Sequence, residues 1–144
     1  MNQVTISVHE NDDAPEGFQI VKSLVAFNES VAESPNKKAF TISAKDKGGS
    51  LIGGINGYTH WKWLFISSLW VTNEHKGQGV GSRLMEMAEA VAKERGCQNA
   101  WLDTFSFQAL PFYKKLGYAE FAHLEDYPPG SSRHFLRKKL RTEN

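Results

Sequence analysis

Three glycines at alternate positions, in Lys76-Gly77-Gln78-Gly79-Val80-Gly81-Ser82, stand between a strand-like and a helix-like stretch. Leu64-Phe65-Ile66 and Leu69-Trp70-Val71 precede them, and Val80, Leu84, Met87, Ala88 and Val91 follow on one helical face. Glycines at such a junction let the backbone turn tightly, aim successive N–H groups into one concavity and admit a ligand close to the main chain. The helix adds its unpaired N-terminal N–H groups and the positive end of its dipole. Together these make a site for an anion, most often a phosphate or pyrophosphate.

Two well-known phosphate loops fit badly. A P-loop needs a lysine and then Ser/Thr after its last glycine, because the lysine reaches the β and γ phosphates and the hydroxyl holds magnesium. Here Ser82 follows Gly81 directly. A dinucleotide fingerprint needs Gly-x-Gly-x-x-Gly in an early βαβ unit, whereas this loop is Gly-x-Gly-x-Gly and lies past the middle of the chain.

Trp101-Leu102-Asp103-Thr104 reads as a further strand, followed by a helix carrying Ala109, Phe112, Tyr113 and Leu116 and stopped by Gly117. This order resembles the GNAT superfamily of acyl-CoA N-acyltransferases, in its small, single-domain, bacterial-type form. The family's pyrophosphate loop, Arg/Gln-x-x-Gly-x-Gly/Ala, is matched by Lys76-Gly77-Gln78-Gly79-Val80-Gly81. Its second mark, Phe-Tyr-x-Lys-x-Gly-Phe/Tyr, is matched by Phe112-Tyr113-Lys114-Lys115-Leu116-Gly117-Tyr118. Two motifs in the right order and at the right separation are far more specific than either alone. The resemblance runs from about Leu51 to the end and more loosely over the N-terminal third.

At 144 residues the chain suits one domain with a real core, taken as 1–144. Lys and Arg number 17 against 16 Asp and Glu, a formal charge of +1 that argues against nucleic-acid binding. The basic run Arg137-Lys138-Lys139-Leu140-Arg141 is read as a solvated strand end or tail. The one cysteine, Cys97, allows no intramolecular disulfide and no thiol cluster for zinc, so no metal is expected and Cys97 is read as a packing residue. Neither a signal-like leader nor a membrane-length apolar run is visible, which makes the cytoplasm the expected location.

The remaining pattern is α/β. Val4 to Val8 alternates like a first strand, and Phe18 to Val31 suggests one helix or two short ones. Ala39 to Ala44 and Leu51 to Tyr58 flank a hairpin turn at Lys45 to Ser50, and Trp61 to Val71 forms the next strand. Helix 80–95, strand 99–104, helix 107–116 and strands 118–126 and 132–140 complete the chain. The resemblance implies a central mixed, twisted sheet of about six or seven strands flanked by about four helices.

It also implies a reaction: transfer of the acetyl group of acetyl-CoA to a primary amine of a small molecule, or to a lysine or N-terminal amine, by direct attack in a ternary complex. Lys76, Gly77, Gln78, Gly79, Val80, Gly81 and Ser82 would hold the pyrophosphate, with charge added by Lys76 or Lys115. Leu69, Trp70 and Val71 would run alongside pantetheine, one backbone N–H there stabilising the oxyanion. Tyr113 would lie by the thioester sulfur as general acid, since a phenol with a pKa of about 10 is protonated at neutral pH.

Two family features are replaced. Ser67 or Ser68 stands where many members place a basic Glu, and Phe107 or Gln108 where they place an Asn before the tyrosine helix. The base is left open, with Asp103, Glu125 and Asp126 as carboxylate candidates and His75 read as a surface residue. A homodimer through the C-terminal strands is common in the family. A non-catalytic acyl-CoA sensor that keeps the loop is the alternative, and a nucleotide hydrolase or kinase is retained only through the loop.

Overall fold

The computed structural model describes residues 3–140, which fall into two compact units divided between Ser34 and Pro35. Arg141 of the basic run lies outside the described residues.

In the first unit, residues 3–11 have no regular structure, so the strand expected at Val4 to Val8 does not form. Alternation makes a strand only when a neighbouring ladder takes its backbone hydrogen bonds, and among the described residues these have none. The helix expected from Phe18 is a single one, α1 (Pro15–Val31). It starts on Pro15, where a missing N–H is no loss. It ends at Ala32, which turns to extended backbone while its N–H still donates to the Asn28 carbonyl at 2.8 Å.

The second unit is a six-stranded mixed sheet with two helices. Its elements are β1 (Lys38–Lys45), β2 (Leu51–His60), β3 (Trp63–Val71), α2 (Val80–Glu94), β4 (Asn99–Phe105), α3 (Leu110–Lys115), β5 (Ala119–Glu125) and β6 (Ser132–Lys139). The strand order is β1-β2-β3-β4-β6-β5. All neighbours are antiparallel except β3 and β4, which α2 joins by the crossover that a parallel pair requires. The described chain thus has six strands and three α-helices, one helix fewer than the family pattern implies. α3 begins three residues later than the 107–116 periodicity predicts. Gln108 Oε1 accepts from the Phe105 N–H at 2.8 Å and the Thr104 hydroxyl at 3.0 Å, which holds that stretch as a turn, and Pro111 then sits in the first helical turn.

Leu64, Ala100, Leu102 and Leu136 are sealed at the centre of the sheet, and α2 packs across β1, β2 and β3. Its buried stripe is Leu84, Met85, Ala88 and Ala92. Met87, expected on that stripe, is 52% exposed. At 100° per residue it falls roughly a third of a turn from the stripe's centre, while Met85 falls within it. Glu89 is buried too, accepting from Tyr118 Oη at 2.9 Å and from Lys138 Nζ at 2.9 and 3.1 Å. This buried carboxylate ties α2 to β6 and to the residue preceding β5 with its charge matched. Cys97 is sealed in the core, where burial pushes its thiol up and leaves it unreactive.

Candidate active site

β3 and β4 pair only from Trp63↔Asn99 to Ile66↔Leu102, yet β3 runs on to Val71 and β4 to Phe105. Where the ladder stops, a cleft of about 640 Å³ opens. One wall is residues 66–71 of β3, the other is Leu102, Asp103 and Thr104 of β4. A register shift on the other side of β3 contributes to this: Asn56 pairs with Ser68 and Gly57 with Ile66, so Ser67 has no partner and bulges. Ser67 and Ser68 both line the cleft.

The glycine loop closes one end. A single 3-10 turn, Asn73–His75, leads into it. Gly77 and Gly79 both adopt left-handed backbone, at φ 79° and 81°, which only glycine enters without strain. Gly79 is the N-cap of α2 and carries no capping side chain. Among the described residues no backbone carbonyl accepts from the amides of Gly77, Gln78 or Gly79. The amides of residues 80–82 open α2 and have no acceptor within the helix. Gly81 serves packing, since a Cβ there would already meet Phe112 Cζ of α3 at 3.4 Å. His75 is half-buried against the cleft and shares a 2.9 Å hydrogen bond with Thr72 Oγ1 through Nδ1. With Lys76 it brings an imidazole and an ammonium side chain to the lining beside the loop.

Tyr113 and Phe112, on α3, complete the lining. Tyr113 is 8% exposed, its ring set edge-on to those of Phe112 at 5.1 Å and Tyr118 at 6.3 Å. Its hydroxyl has no protein partner among the described residues, and no side-chain polar atom is both sealed and unpaired, so that hydroxyl opens on the cleft. Burial, with the Asp103 carboxylate adding to it, pushes the Tyr113 phenol up to about 12. It is a neutral hydrogen-bond donor at any ordinary pH.

Asp103 is the one carboxylate among the lining residues. Its Oδ1 accepts from Arg133 Nε at 2.9 Å, and Arg133 Nη1 donates to Tyr127 Oη at 2.9 Å. The guanidinium sits over the rings of Phe105, Tyr127 and Phe135 at 5.6, 5.0 and 5.3 Å. Asp103 is thereby held rigidly while its Oδ2 has no protein partner among the described residues.

Of the residues singled out by sequence, Leu69, Trp70, Val71, Lys76, Gly77, Val80, Gly81 and Tyr113 meet in this cleft. Gln78 does not line it and donates instead to the Glu74 carbonyl at 3.2 Å. Ser82 and Lys115 are exposed and also outside the lining, and Gly79 contributes its backbone turn. His75, expected on the surface, is brought in, as are Thr104, Phe107, Gln108 and Ala109. Proximity of His75 to the loop was its only signal. Glu125 and Asp126 are exposed and away from the lining.

The model of the Acetyltransferase (GNAT) family matches residues 5–118. The chain belongs to the GNAT acetyltransferase family. It is similar to the blasticidin-S acetyltransferase of Streptomyces morookaense, 40% identical over 111 residues that cover 76% of this chain and 82% of that one. An acetyltransferase of Agrobacterium fabrum is 32% identical over 128 residues, covering 89% and 93%. A crystal structure of an acetyltransferase from Bacillus cereus superposes with a TM-score of 0.86 at 36% identity, covering 92% of this chain and 97% of that one. This GNAT protein is therefore an acyltransferase, and its family draws the acetyl group from acetyl-CoA. No helix among its described residues is long and apolar enough to cross a membrane.

Proposed function

We propose that this protein transfers the acetyl group of acetyl-CoA to the primary amine of a small molecule, by direct attack within a ternary complex, and that antibiotic-like amines are its acceptor class. The observation that carries the reading is the sorting of chemistry along one cleft: free loop amides with His75 and Lys76 at one end, a neutral phenol and a carboxylate toward the other. The amides and the start of α2 suit the diphosphate of the coenzyme. The parted edge of β3, residues 67–71, offers backbone N–H and C=O groups to pantetheine as a strand would. An N–H on this edge supports the oxyanion as the thioester carbonyl becomes tetrahedral. Tyr113 then gives its proton to the departing sulfur. The antibiotic class rests on the 40% identity to a relative named for blasticidin S.

The test is coenzyme A release from acetyl-CoA with blasticidin S, kanamycin, spermidine and free lysine in turn. Release that depends on one of these amines, with a matching mass gain of one acetyl group on it, is the expected result. Tight acetyl-CoA binding with no release on any amine would turn the reading into that of an acyl-CoA sensor.

A further inference from the structure

We infer that Asp103 is the ammonium-binding and proton-accepting carboxylate of the acceptor half of the cleft, which restricts acceptors to amines that arrive as cations; this rests on the acetyltransfer reading above. Four observations converge. Asp103 is the sole acidic group in the lining, and it stands on the wall facing β3 where the two strands part. Asp103 and Tyr113 both line this cleft, and the carboxylate acts electrostatically on the phenol. One oxygen is fixed by Arg133, itself held by Tyr127 and three aromatic rings, so the other is presented in one geometry. On the bulged strand that faces it only Ser67 and Ser68 carry a side-chain oxygen, and these hydroxyls are too weakly basic to take a proton from an ammonium.

The proton balance closes with these two side chains. Asp103 Oδ2 takes one proton from the bound ammonium and leaves a neutral amine. Its nitrogen lone pair forms the C–N bond to the thioester carbonyl, whose π electrons move onto oxygen. As these return, the C–S bond breaks with its pair on sulfur, and Tyr113 protonates the sulfur to give the thiol. The second nitrogen proton restores the phenol, and Asp103 releases its proton to solvent. Asp103 thus accepts a proton from nitrogen and Tyr113 donates one to sulfur, which is the division of labour such a transfer needs.

The experiment compares wild type, Asp103→Asn and Asp103→Glu with whichever of the four amines above supports release. Asp103→Asn keeps an oxygen for Arg133, so the fold is retained, and thermal melting with acetyl-CoA titration checks this. We expect an acceptor kcat/KM lowered by about 10²- to 10³-fold at pH 7 with acetyl-CoA affinity within twofold. The pH profile is the deciding readout. Without the carboxylate only the free amine reacts, so the Asn variant should gain about tenfold per pH unit up to the amine's own pKa, against a nearly flat wild type, and the Glu variant should recover part of the rate. An Asn variant as active as wild type, or one with a parallel pH profile, overturns the assignment while acetyltransfer stands. A wild type inert toward all four amines overturns the acetyltransfer reading and this assignment with it.

Discussion

A Cβ on Gly57 would run into the carbonyl oxygen of Phe65 across the β2–β3 ladder. The contact sits at the register shift between Asn56 and Gly57 that leaves Ser67 unpaired on the cleft wall. Glycine here admits a close backbone approach rather than an unusual dihedral, and the bulge it permits shapes the half of β3 that lines the cleft.

Gly57→Ala should therefore destabilise the protein by about 2–4 kcal/mol, because backbone rather than a pliable side chain has to move. Thermal melting should fall by roughly 5–15 °C for a chain of this size, with acetyl-CoA affinity weakened in whatever remains folded. A melt within a degree or two of wild type would mean the two strands are not this close.

Gly79→Asp should weaken acetyl-CoA binding by about 100-fold or more. It brings a negative charge to the N-terminal end of α2, where the helix dipole and open amides favour anions. The left-handed backbone adds roughly 1–2 kcal/mol of strain for a non-glycine residue. Gly79→Ala carries a comparable backbone strain without the charge, so calorimetric titration of the pair separates electrostatics from backbone. Equal affinity of the two variants would remove the diphosphate from this loop.

Tyr113→Phe should lower kcat by about 10²-fold and leave acetyl-CoA affinity nearly intact. The ring keeps its packing against Phe112 and Tyr118 while the proton donor is lost. Because the phenol lies up at about 12, no alkaline fall in rate below about pH 11 should come from it. Loss of the fold without a specific rate effect would make Tyr113 a packing residue only.

Alkaline stability provides a fourth check. Burial raises the phenols of both Tyr113 and Tyr118, the latter further by the Glu89 carboxylate that it donates to. A group raised in the folded state contributes stability that is complete below its unfolded value and lost as pH climbs through the folded one. Denaturant midpoints should hold to about pH 9.5 and fall between about 10 and 12. Absorbance at 295 nm should show these two phenols ionising late, and Tyr118→Phe should remove one late component. Early, uniform titration of every tyrosine would contradict the burial.

How much of this was legible in the sequence depended on the range of the forces involved. The glycine loop, the stop at Gly117 and the helix expected at 80–95, found at Val80–Glu94, follow from dihedral freedom and 3.6-residue periodicity, which a short window carries. Val4 to Val8 misled because alternation is necessary for a strand but a partner completes it. Met87 is expected on the buried stripe that Met85 occupies because a broad apolar face has no sharp centre until a sheet is laid against it.

The sequence by itself determined the family, the order of α2 and α3 around β4, and the residues of the loop and of Tyr113, since each is written in contiguous residues. Only the tertiary structure decided where β3 and β4 separate, that His75 faces inward, and that Asp103 meets an arginine 30 positions away. Strand register and cross-strand pairing arise from packing between distant segments, and no local propensity encodes them.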